Sequence, residues 1–291
     1  MFLKEILLIL LLIYIIFADK LKISQVIPKT LKRKINGLKI VKNVVEGLIY
    51  RELKTRVTKS DSGIIGIFIE PIAVIVVFLL IFYFLRGNNP NLDTRLFLLS
   101  GIILFTLFTQ IALRSINAIT ANEALFIYKP VKPMDTVIAR TIVETGLYAI
   151  VFLTLSLGIF YLAEEVILND FPLMVISFVL LSLTAFGFGL LLMVLGHKYP
   201  PLKNFLPVIT RPLWFISGVF FSIRSLPENI IPWLSWNPIL QAIELIRHSY
   251  SVDYIIDKQI VSLNYLTTCA FVSCTFGLWV YLKNEKLLIK K

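Results

Sequence analysis

The chain has 291 residues, of which 57% are hydrophobic and 16% are charged. Soluble domains contain about 45–50% apolar and about 25% charged residues, so this composition excludes an ordinary soluble domain and indicates membrane helices. The net charge of +11 would suggest a nucleic-acid ligand in a soluble protein; in a membrane protein it first raises the question of which side of the bilayer carries it.

The N-terminal part contains one short hydrophobic run, residues 6–17. Positive charges follow this run and no small-residue cleavage site is evident, so a cleaved signal peptide fits poorly. Three interpretations stay open: an extra transmembrane helix, an interfacial segment, or an extension from an upstream start site. We assign residues 1–37 to an N-terminal extension made of this run and a basic linker.

Residues 38–59 place apolar side chains at helical spacing and basic side chains on the remainder. This pattern is typical of an amphipathic helix lying in the cytoplasmic membrane interface, and a helix packed on another protein is the alternative. We assign residues 38–63 to this interface helix and residues 64–291 to a transmembrane domain.

Six longer hydrophobic runs follow, each with close to the roughly 20 residues that a helix needs to cross a bilayer. They cover residues 64–85, 96–113, 141–163, 172–196, 205–221 and 263–282. The fifth run is interrupted by Pro207 and Pro212. The sequence therefore predicts an all-α membrane protein with six transmembrane helices, plus one more if residues 6–17 also span.

The basic residues set the orientation of these helices. Of the 29 Lys and Arg residues, 23 lie in segments 18–63, 114–140, 198–211 and 283–291. Because cytoplasmic flanks carry the excess of Lys and Arg, these segments and the C-terminus are predicted to be cytoplasmic. The opposite side is mildly acidic, so the charge is an orientation signal that also suits anionic lipid headgroups, and a nucleic-acid partner is not expected.

Two segments between the runs are more than short connections. Residues 115–140 form a long cytoplasmic loop with a plausible short helix, and a loop of this length with its own structure is usually functional. Residues 222–262 lie on the outer side and contain pieces too short to span, with Trp233 and Trp236 suited to the membrane interface. We predict re-entrant or interfacial helices there.

The sequence carries little that supports catalysis. It has no phosphate-binding loop, no HExxH and no GxSxG, so no catalytic residue is assigned. Cys269 and Cys274 do not share a helix face, which argues against a disulfide, and His197 and His248 are too far apart to suggest a metal site.

A few ionisable residues at membrane depth are functional candidates. Glu70 either acts there or extends to the cytoplasmic surface. Arg140 and Glu144 are four residues apart on one helix face and can pair with each other. Arg211 could meet an anionic substrate group or a lipid phosphate. Together with His197 and His248, these residues are also the only support for an alternative function, an intramembrane glycosyl- or acyltransferase.

Several short stretches between residues 38 and 283 resemble those of a known family. The stretches are Glu70-Pro71, Arg114-Ser115, Ala121-Asn122, Tyr128 to Pro133 (YKPVKP), Asp135-Thr136, Ile138-Ala139-Arg140, Leu206-Pro207, Arg211-Pro212-Leu213, Phe215-Ile216-Ser217, Trp236-Asn237-Pro238, Glu244-Leu245 and Asn264-Tyr265-Leu266. Together with the helix arrangement they resemble type-2 ABC exporter permeases, and among these the capsular polysaccharide export permeases of ATP-dependent capsule systems. Residues 1–37 fall outside the resemblance.

This resemblance implies a homodimer in the bacterial inner membrane that works with two copies of a separate ATPase. ATP and Mg²⁺ would be bound by that ATPase, and this chain would hold no cofactor. The substrate would be a lipid-linked acidic polysaccharide, passed on to periplasmic adaptor and outer-membrane export proteins. Export of O-antigen, teichoic acid, lipid or drug by the same architecture is the nearest alternative.

The resemblance also assigns roles to individual residues. Coupling to the ATPase falls to a loop over residues 115–135 and within it to Asn117, Ala121, Asn122, Glu123, Ala124, Phe126, Tyr128 and Asp135. Apart from the resemblance, contact with substrate or lipid headgroups is expected of Glu70, Arg114 and Arg211 because of their charge. A periplasmic gate falls to Trp233, Trp236, Asn237, Pro238, Glu244 and Arg247.

Overall fold

A computed structural model describes residues 29–59, 65–86, 92–127, 130–163, 169–250 and 260–289, together with residues 254, 256 and 257. The hydrophobic run at residues 6–17 lies outside these described residues, so its span prediction stays a prediction. The chain divides into two compact units, residues 1–43 and 44–291. The described part of the first unit is the beginning of helix α1 (Lys29–Lys59), and the second unit contains the remainder of the fold.

Every element of regular structure in the described ranges is helical, which confirms the all-α prediction. After α1 come α2 (Ile65–Arg86), α3 (Leu92–Ser115), α4 (Ala118–Ala121), α5 (Pro133–Ala163), α6 (Phe171–Lys198), α7 (Leu202–Ile216), α8 (Ile231–Leu234), α9 (Pro238–Tyr250) and α10 (Leu263–Ile289). Two 3₁₀ turns, Glu123–Ile127 and Ile223–Ser225, lie between them.

Four helices of the described chain are long and apolar enough to cross a membrane. They are Thr94–Ser115, Pro133–Tyr161, Phe171–Lys198 and Leu263–Leu288, within α3, α5, α6 and α10. They correspond to the second, third, fourth and sixth predicted runs. The third begins earlier than predicted, because Pro133 suits the first turn of a helix. The first predicted run forms the 22-residue α2, whose described apolar part, Pro71–Ile81, is shorter than a span.

The fifth predicted run does not form one helix over residues 205–221. Its helix α7 has 15 residues, or about 22 Å at ~1.5 Å per residue, which is less than the ~30 Å hydrocarbon core. The helix ends at Ile216, and Gly218 follows with a φ of 72°, a conformation that glycine adopts without strain. Four of the six predicted spans are therefore present as such, and the six-span arrangement is not confirmed.

The main hydrophobic core lies where α3 and α9 meet α5 and α6. Helix α9 is buried along almost its whole length. Its predicted re-entrant position in the membrane stays a prediction. Helix α6 packs most extensively on α10, because Gly187 and Gly277 bring the two backbones into contact. Cys269 and Cys274 on α10 are both free thiols, as predicted.

A second, smaller core forms at the opposite end of the same helices. It contains Ala118, Ile119, Val137, Leu190, Met193, Val194, Tyr281 and Leu288. Helix α4 contributes two of these side chains and packs on α5 and α6, so the short helix of the 115–135 loop is held against both. This core positions the candidate coupling region.

Candidate functional site

The coupling segment, residues 115–135, has a buried beginning and an exposed turn. Ala118 and Ile119 of α4 are buried in the second core, whereas Ile127 at the end of the following 3₁₀ turn is 70% exposed. Of the predicted coupling residues, the exposed ones are Asn117, Ala121, Glu123 and Ala124. The segment therefore presents a short, partly apolar surface on a rigid base.

The remaining predicted coupling residues hold the segment in place or lie outside the description. Phe126 packs against the second core, and Asn122 and Asp135 are buried. The Asn122 side chain donates to the Ala118 carbonyl at 2.8 Å, and Asp135 accepts from the Lys132 amide at 2.9 Å. Tyr128 lies outside the described residues. The structure thus separates the predicted residues into an exposed group and a supporting group.

Glycines of α6 allow the chain before α4 to pack closely. A side chain at Gly196 would meet the Ile116 carbonyl oxygen at 2.7 Å, and one at Gly189 would meet the Ser115 hydroxyl at 2.7 Å. Since even a methyl group would not fit at either contact, the end of α3 lies directly on α6. The coupling segment therefore begins from a fixed point.

A cluster of charged side chains joins α1, α3 and α5 beside this segment. We call it the Arg114 cluster; it comprises Arg51, Glu52, Arg114, Arg140 and Glu144. Arg114 lies 2.9 Å from Glu144 and 3.5 Å from Glu52. Glu52 also lies 3.7 Å from Arg140, whose guanidinium donates to the Arg114 carbonyl oxygen. Three cations and two carboxylates thus meet at one place.

The same cluster reaches the coupling segment through Arg51. Its guanidinium donates to the side-chain oxygen of Asn122, the residue that follows α4. Helix α1 is therefore connected both to the coupling segment and, through Glu52, to α3 and α5. The sequence analysis did not identify Arg51 and Glu52 as functional residues. Glu52 is an acidic residue within a basic amphipathic helix, and this exception to the charge pattern was a visible signal.

The surroundings of the predicted membrane-depth residues differ in part from those that the sequence suggested. Glu144 pairs with Arg114 of the neighbouring helix, whereas the i,i+4 spacing had suggested Arg140. Arg114, predicted to contact substrate or lipid, is engaged in the cluster with its side chain 37% exposed. Arg211 is exposed on α7 and is not part of the cluster, and the side chain of Glu70 lies outside the described residues. Arg114 and Arg211, the two predicted headgroup residues whose side chains are described, therefore do not lie at one site.

The predicted gate region contains a second polar centre, built around Arg247 of α9. The Arg247 side chain is 3% exposed and donates to the carbonyl oxygens of Val219, Phe97 and Phe221 at 3.0, 3.1 and 3.2 Å. It lies 3.4 Å from both Glu244 and the Ser100 hydroxyl. Arg247 therefore connects α9 to the beginning of α3 and to the turn after α7.

Glu244 completes this centre one turn before Arg247, on the same face of α9. Its carboxylate accepts from the Ile223 amide at 3.3 Å and from the Tyr254 hydroxyl at 2.9 Å, and that hydroxyl lies 2.8 Å from the Ser222 oxygen. Burial, reinforced by the nearby negative charge of Glu244, raises the pKa of Tyr254 to about 12. The tyrosine is therefore neutral at physiological pH and keeps the proton that it donates.

The other predicted gate residues surround the start of α9. Asn237 accepts from the Ile239 amide at 2.9 Å and donates to the Ser217 hydroxyl at 3.0 Å, while Pro238 is the first residue of the helix. Trp233 and Trp236 are 84% and 76% exposed. The structure thus brings the six predicted gate residues to one region, with two exposed tryptophans and four residues that shape α9.

One buried residue of this region was not predicted from the sequence. Gln241 donates to the carbonyls of Ser235 and Ile260, both at 2.8 Å, and accepts from the Ser262 amide at 3.0 Å. A polar side chain within an apolar helical pattern is the only sequence signal for it. Within the described chain, no group of three or more His, Cys, Asp or Glu residues is placed to hold a metal ion.

Comparison with known proteins gives a consistent picture. Residues 44–250 match the profile of the ABC-2 type transporter family. The polysialic acid transport protein KpsM of Escherichia coli is 36% identical over 255 residues, which cover 87% of this chain and 98% of that protein.

Two capsule polysaccharide export inner-membrane proteins are more distant. CtrC of Neisseria meningitidis is 24% identical over 87% of this chain and 95% of its own length. BexB of Haemophilus influenzae is 25% identical over 85% of this chain and 93% of its own length.

Proposed function

Because the chain belongs to the ABC-2 type transporter family, we propose that it is the permease subunit of an ATP-driven exporter that moves a lipid-linked acidic polysaccharide across the inner membrane. The observation that carries this proposal is the similarity, over nearly the whole of both chains, to a polysialic acid transport protein. Four apolar helices of spanning length fit a multi-pass protein of that membrane. The basic flanks support a cytoplasmic C-terminus.

The energy for transport comes from a separate ATPase, in this proposal, since the sequence has no phosphate-binding loop of its own. Two copies of that ATPase bind ATP and Mg²⁺ and dock on the coupling segments of two copies of this chain. The exposed 3₁₀ turn at Glu123–Ile127 supports this docking, because exposed Ile127 and half-buried Phe126 offer an apolar contact on a fixed base.

The Arg114 cluster is suited to carry a displacement of the coupling segment into the membrane helices. Arg51 bonds Asn122 next to the docking turn, and Glu52 lies within 3.5–3.7 Å of guanidinium groups on α3 and α5. A partner that pushes the segment would therefore move α1, α3 and α5 together, because separating them leaves buried charges unpaired.

The route for the polymer lies between two copies of the chain, in this proposal. Helix α7 is too short to cross the bilayer and exposes Val208 and Phe215, 59% and 61% exposed, while α2 exposes Val76 and Leu80. Such faces suit cover by a second copy. Exposed Arg211 on α7 would meet acidic groups of the passing chain.

At the outer side, we assign the gate to exposed Trp233 and Trp236, with Glu244 and Arg247 holding α9 in position behind them. The aromatic faces can stack on the apolar faces of sugar rings. Periplasmic adaptor and outer-membrane export proteins would receive the polymer beyond this point.

Deletion and complex formation test the proposal. Loss of the gene should leave acidic polysaccharide inside the cell, and the chain should co-purify with an ATPase whose hydrolysis rises with lipid-linked glycan. Turnover of a lipid-linked sugar by the purified chain alone, without any ATPase, would establish the intramembrane transferase instead. Retention of another chemotype, such as a teichoic acid, would change the substrate class.

The coupling assignment has a separate test. Ala124→Arg introduces a bulky charge on the exposed turn and should abolish co-purification of the ATPase, whereas Ser225→Arg introduces the same group in the distant outer region and should not. If the complex and its transport survive Ala124→Arg, the ATPase docks elsewhere.

A further inference from the structure

A groove of about 450 Å³ lies between α6 and α10, away from the Arg114 cluster and from the centre around Arg247. Its walls include Phe188, Leu191, Trp236, Cys269, Val272 and Phe276. The contact between Gly187 and Gly277 forms its base, because the two helix backbones touch there. At the start of α10 the Tyr265 hydroxyl donates to the Trp236 carbonyl at 2.9 Å, which closes that end.

The lining of the groove is chemically apolar in spite of its hydroxyl groups. The hydroxyls of Thr184, Thr268 and Ser273 donate to carbonyls one turn back in their own helices, at 2.8, 2.8 and 3.0 Å. None of the described lining residues is charged. A sugar or an ionic group would lose hydrogen bonds to water here without replacement, whereas a hydrocarbon chain would lose none.

The dimensions of the groove select a single hydrocarbon chain. Along α10 it extends from Tyr265 to Phe276, about 16 Å at ~1.5 Å per residue and so about half of the ~30 Å hydrocarbon core. A helix about 10 Å in diameter would need roughly 1,200 Å³ over that length, so the groove cannot enclose a helix of a second copy. Both walls belong to helices of spanning length, so the groove opens into bilayer hydrocarbon.

We propose that this groove binds one acyl chain of a phospholipid from the surrounding bilayer. The chain lies between α6 and α10, with its ester end near Trp236 and Tyr265, the residue types that favour the membrane interface. The bound lipid fills the space beside the Gly187–Gly277 contact and supports that contact from one side. The site is separate from the proposed ATPase contact, and of the proposed gate residues it includes only Trp236 and Pro238.

Photolabelling of the full chain tests this site. The protein is reconstituted in vesicles of phosphatidylethanolamine and phosphatidylglycerol that contain a phosphatidylethanolamine with a diazirine on its acyl chain. After irradiation, we expect adducts on Cys269 and Val272 several-fold above those on Val179, which is exposed on α6 but does not line the groove.

Two filling variants and one matched control complete the experiment. Val272→Trp and Cys269→Phe occupy the groove from neighbouring positions, and either should reduce groove labelling to the level of exposed positions. Val179→Trp adds the same bulk outside the groove and should leave labelling unchanged. Because two filling variants are available, one that does not give a monodisperse protein leaves the test intact.

Equal labelling of Val272 and Val179 would overturn the proposal, since the lipid there would be ordinary bilayer lipid. Cross-linking of two copies through Cys269, in a Cys274→Ser background, would overturn it as well by identifying a second copy as the occupant. Neither measurement depends on transport. The proposed function can therefore fail while the lipid site is confirmed, and the lipid site can fail while the proposed function is confirmed.

Discussion

The sharpest stability prediction concerns Arg247, the buried guanidinium that connects three parts of the fold. Its donors reach three backbone carbonyls at 3.0–3.2 Å, and its charge lies beside Glu244. The substitution Arg247→Lys preserves the charge but replaces a planar fork of five N–H donors with one ammonium group. The lysine cannot reach carbonyls that lie in different directions.

The expected loss follows from these contacts. At least two of the three carbonyl bonds are lost, and a hydrogen bond to a charged group contributes about 1.5–3 kcal/mol. The variant should therefore lose about 3 kcal/mol or more of unfolding free energy. At roughly 2–4 °C per kcal/mol, the melting temperature should fall by about 6–12 °C.

Thermal unfolding of the purified chain in detergent measures this effect. Arg224→Lys, at an exposed position between α7 and α8, provides the control, and a surface substitution should change stability by no more than about 0.5 kcal/mol. A melting temperature of Arg247→Lys within about 2 °C of the wild type, on the same scale, would refute the claim that these bonds hold α9 in place.

Three further predictions concern other contacts. Glu52→Gln weakens a mostly buried pairing by about 1–2 kcal/mol, so amide exchange in residues 44–59 should accelerate about 5–30-fold. Equal exchange in the variant and the wild type would contradict the cluster. Gly187→Ala should destabilise the chain by about 1–3 kcal/mol because its methyl group meets the α10 backbone, and Gly146→Ala, in open space, should raise the melting temperature slightly. Lys132→Ala should lower the unfolding free energy by less than about 1 kcal/mol, because the 2.9 Å ion pair of Lys132 with Glu285 of α10 lies at the surface. A larger loss in thermal unfolding would show that the pair is not a surface contact.

The helices could be predicted from sequence to the extent that hydropathy determines them. Four long apolar runs form four helices of spanning length, because runs of about 20 apolar residues are unfavourable in water and favourable in the hydrocarbon core of a bilayer. The run over residues 205–221 failed this rule, since a running average of hydropathy does not register the turn at Gly218 that ends α7. Two prolines within the run were a visible warning, but the position of the turn depends on tertiary contacts.

The sites were harder to predict than the helices. The predicted gate residues do lie together, because they are close in sequence. The partners of Arg247 are carbonyl groups 26, 28 and 150 residues away, and backbone acceptors leave no mark in a sequence. Likewise, Glu144 lies 2.9 Å from Arg114 on another helix, a pairing set by helix packing that the i,i+4 spacing did not predict.

Helix α3 connects the two polar centres. Its end carries Arg114 of the Arg114 cluster, and the Ser100 hydroxyl, about 21 Å away at ~1.5 Å per residue, lies 3.4 Å from Arg247. Since α3 is buried in the main core and closely packed interiors transmit strain, α3 can carry a displacement from the coupling segment towards α9. We therefore expect α3 and α9 to move as one body during transport, with the sliding surfaces on α2 and α7, where the apolar side chains are exposed.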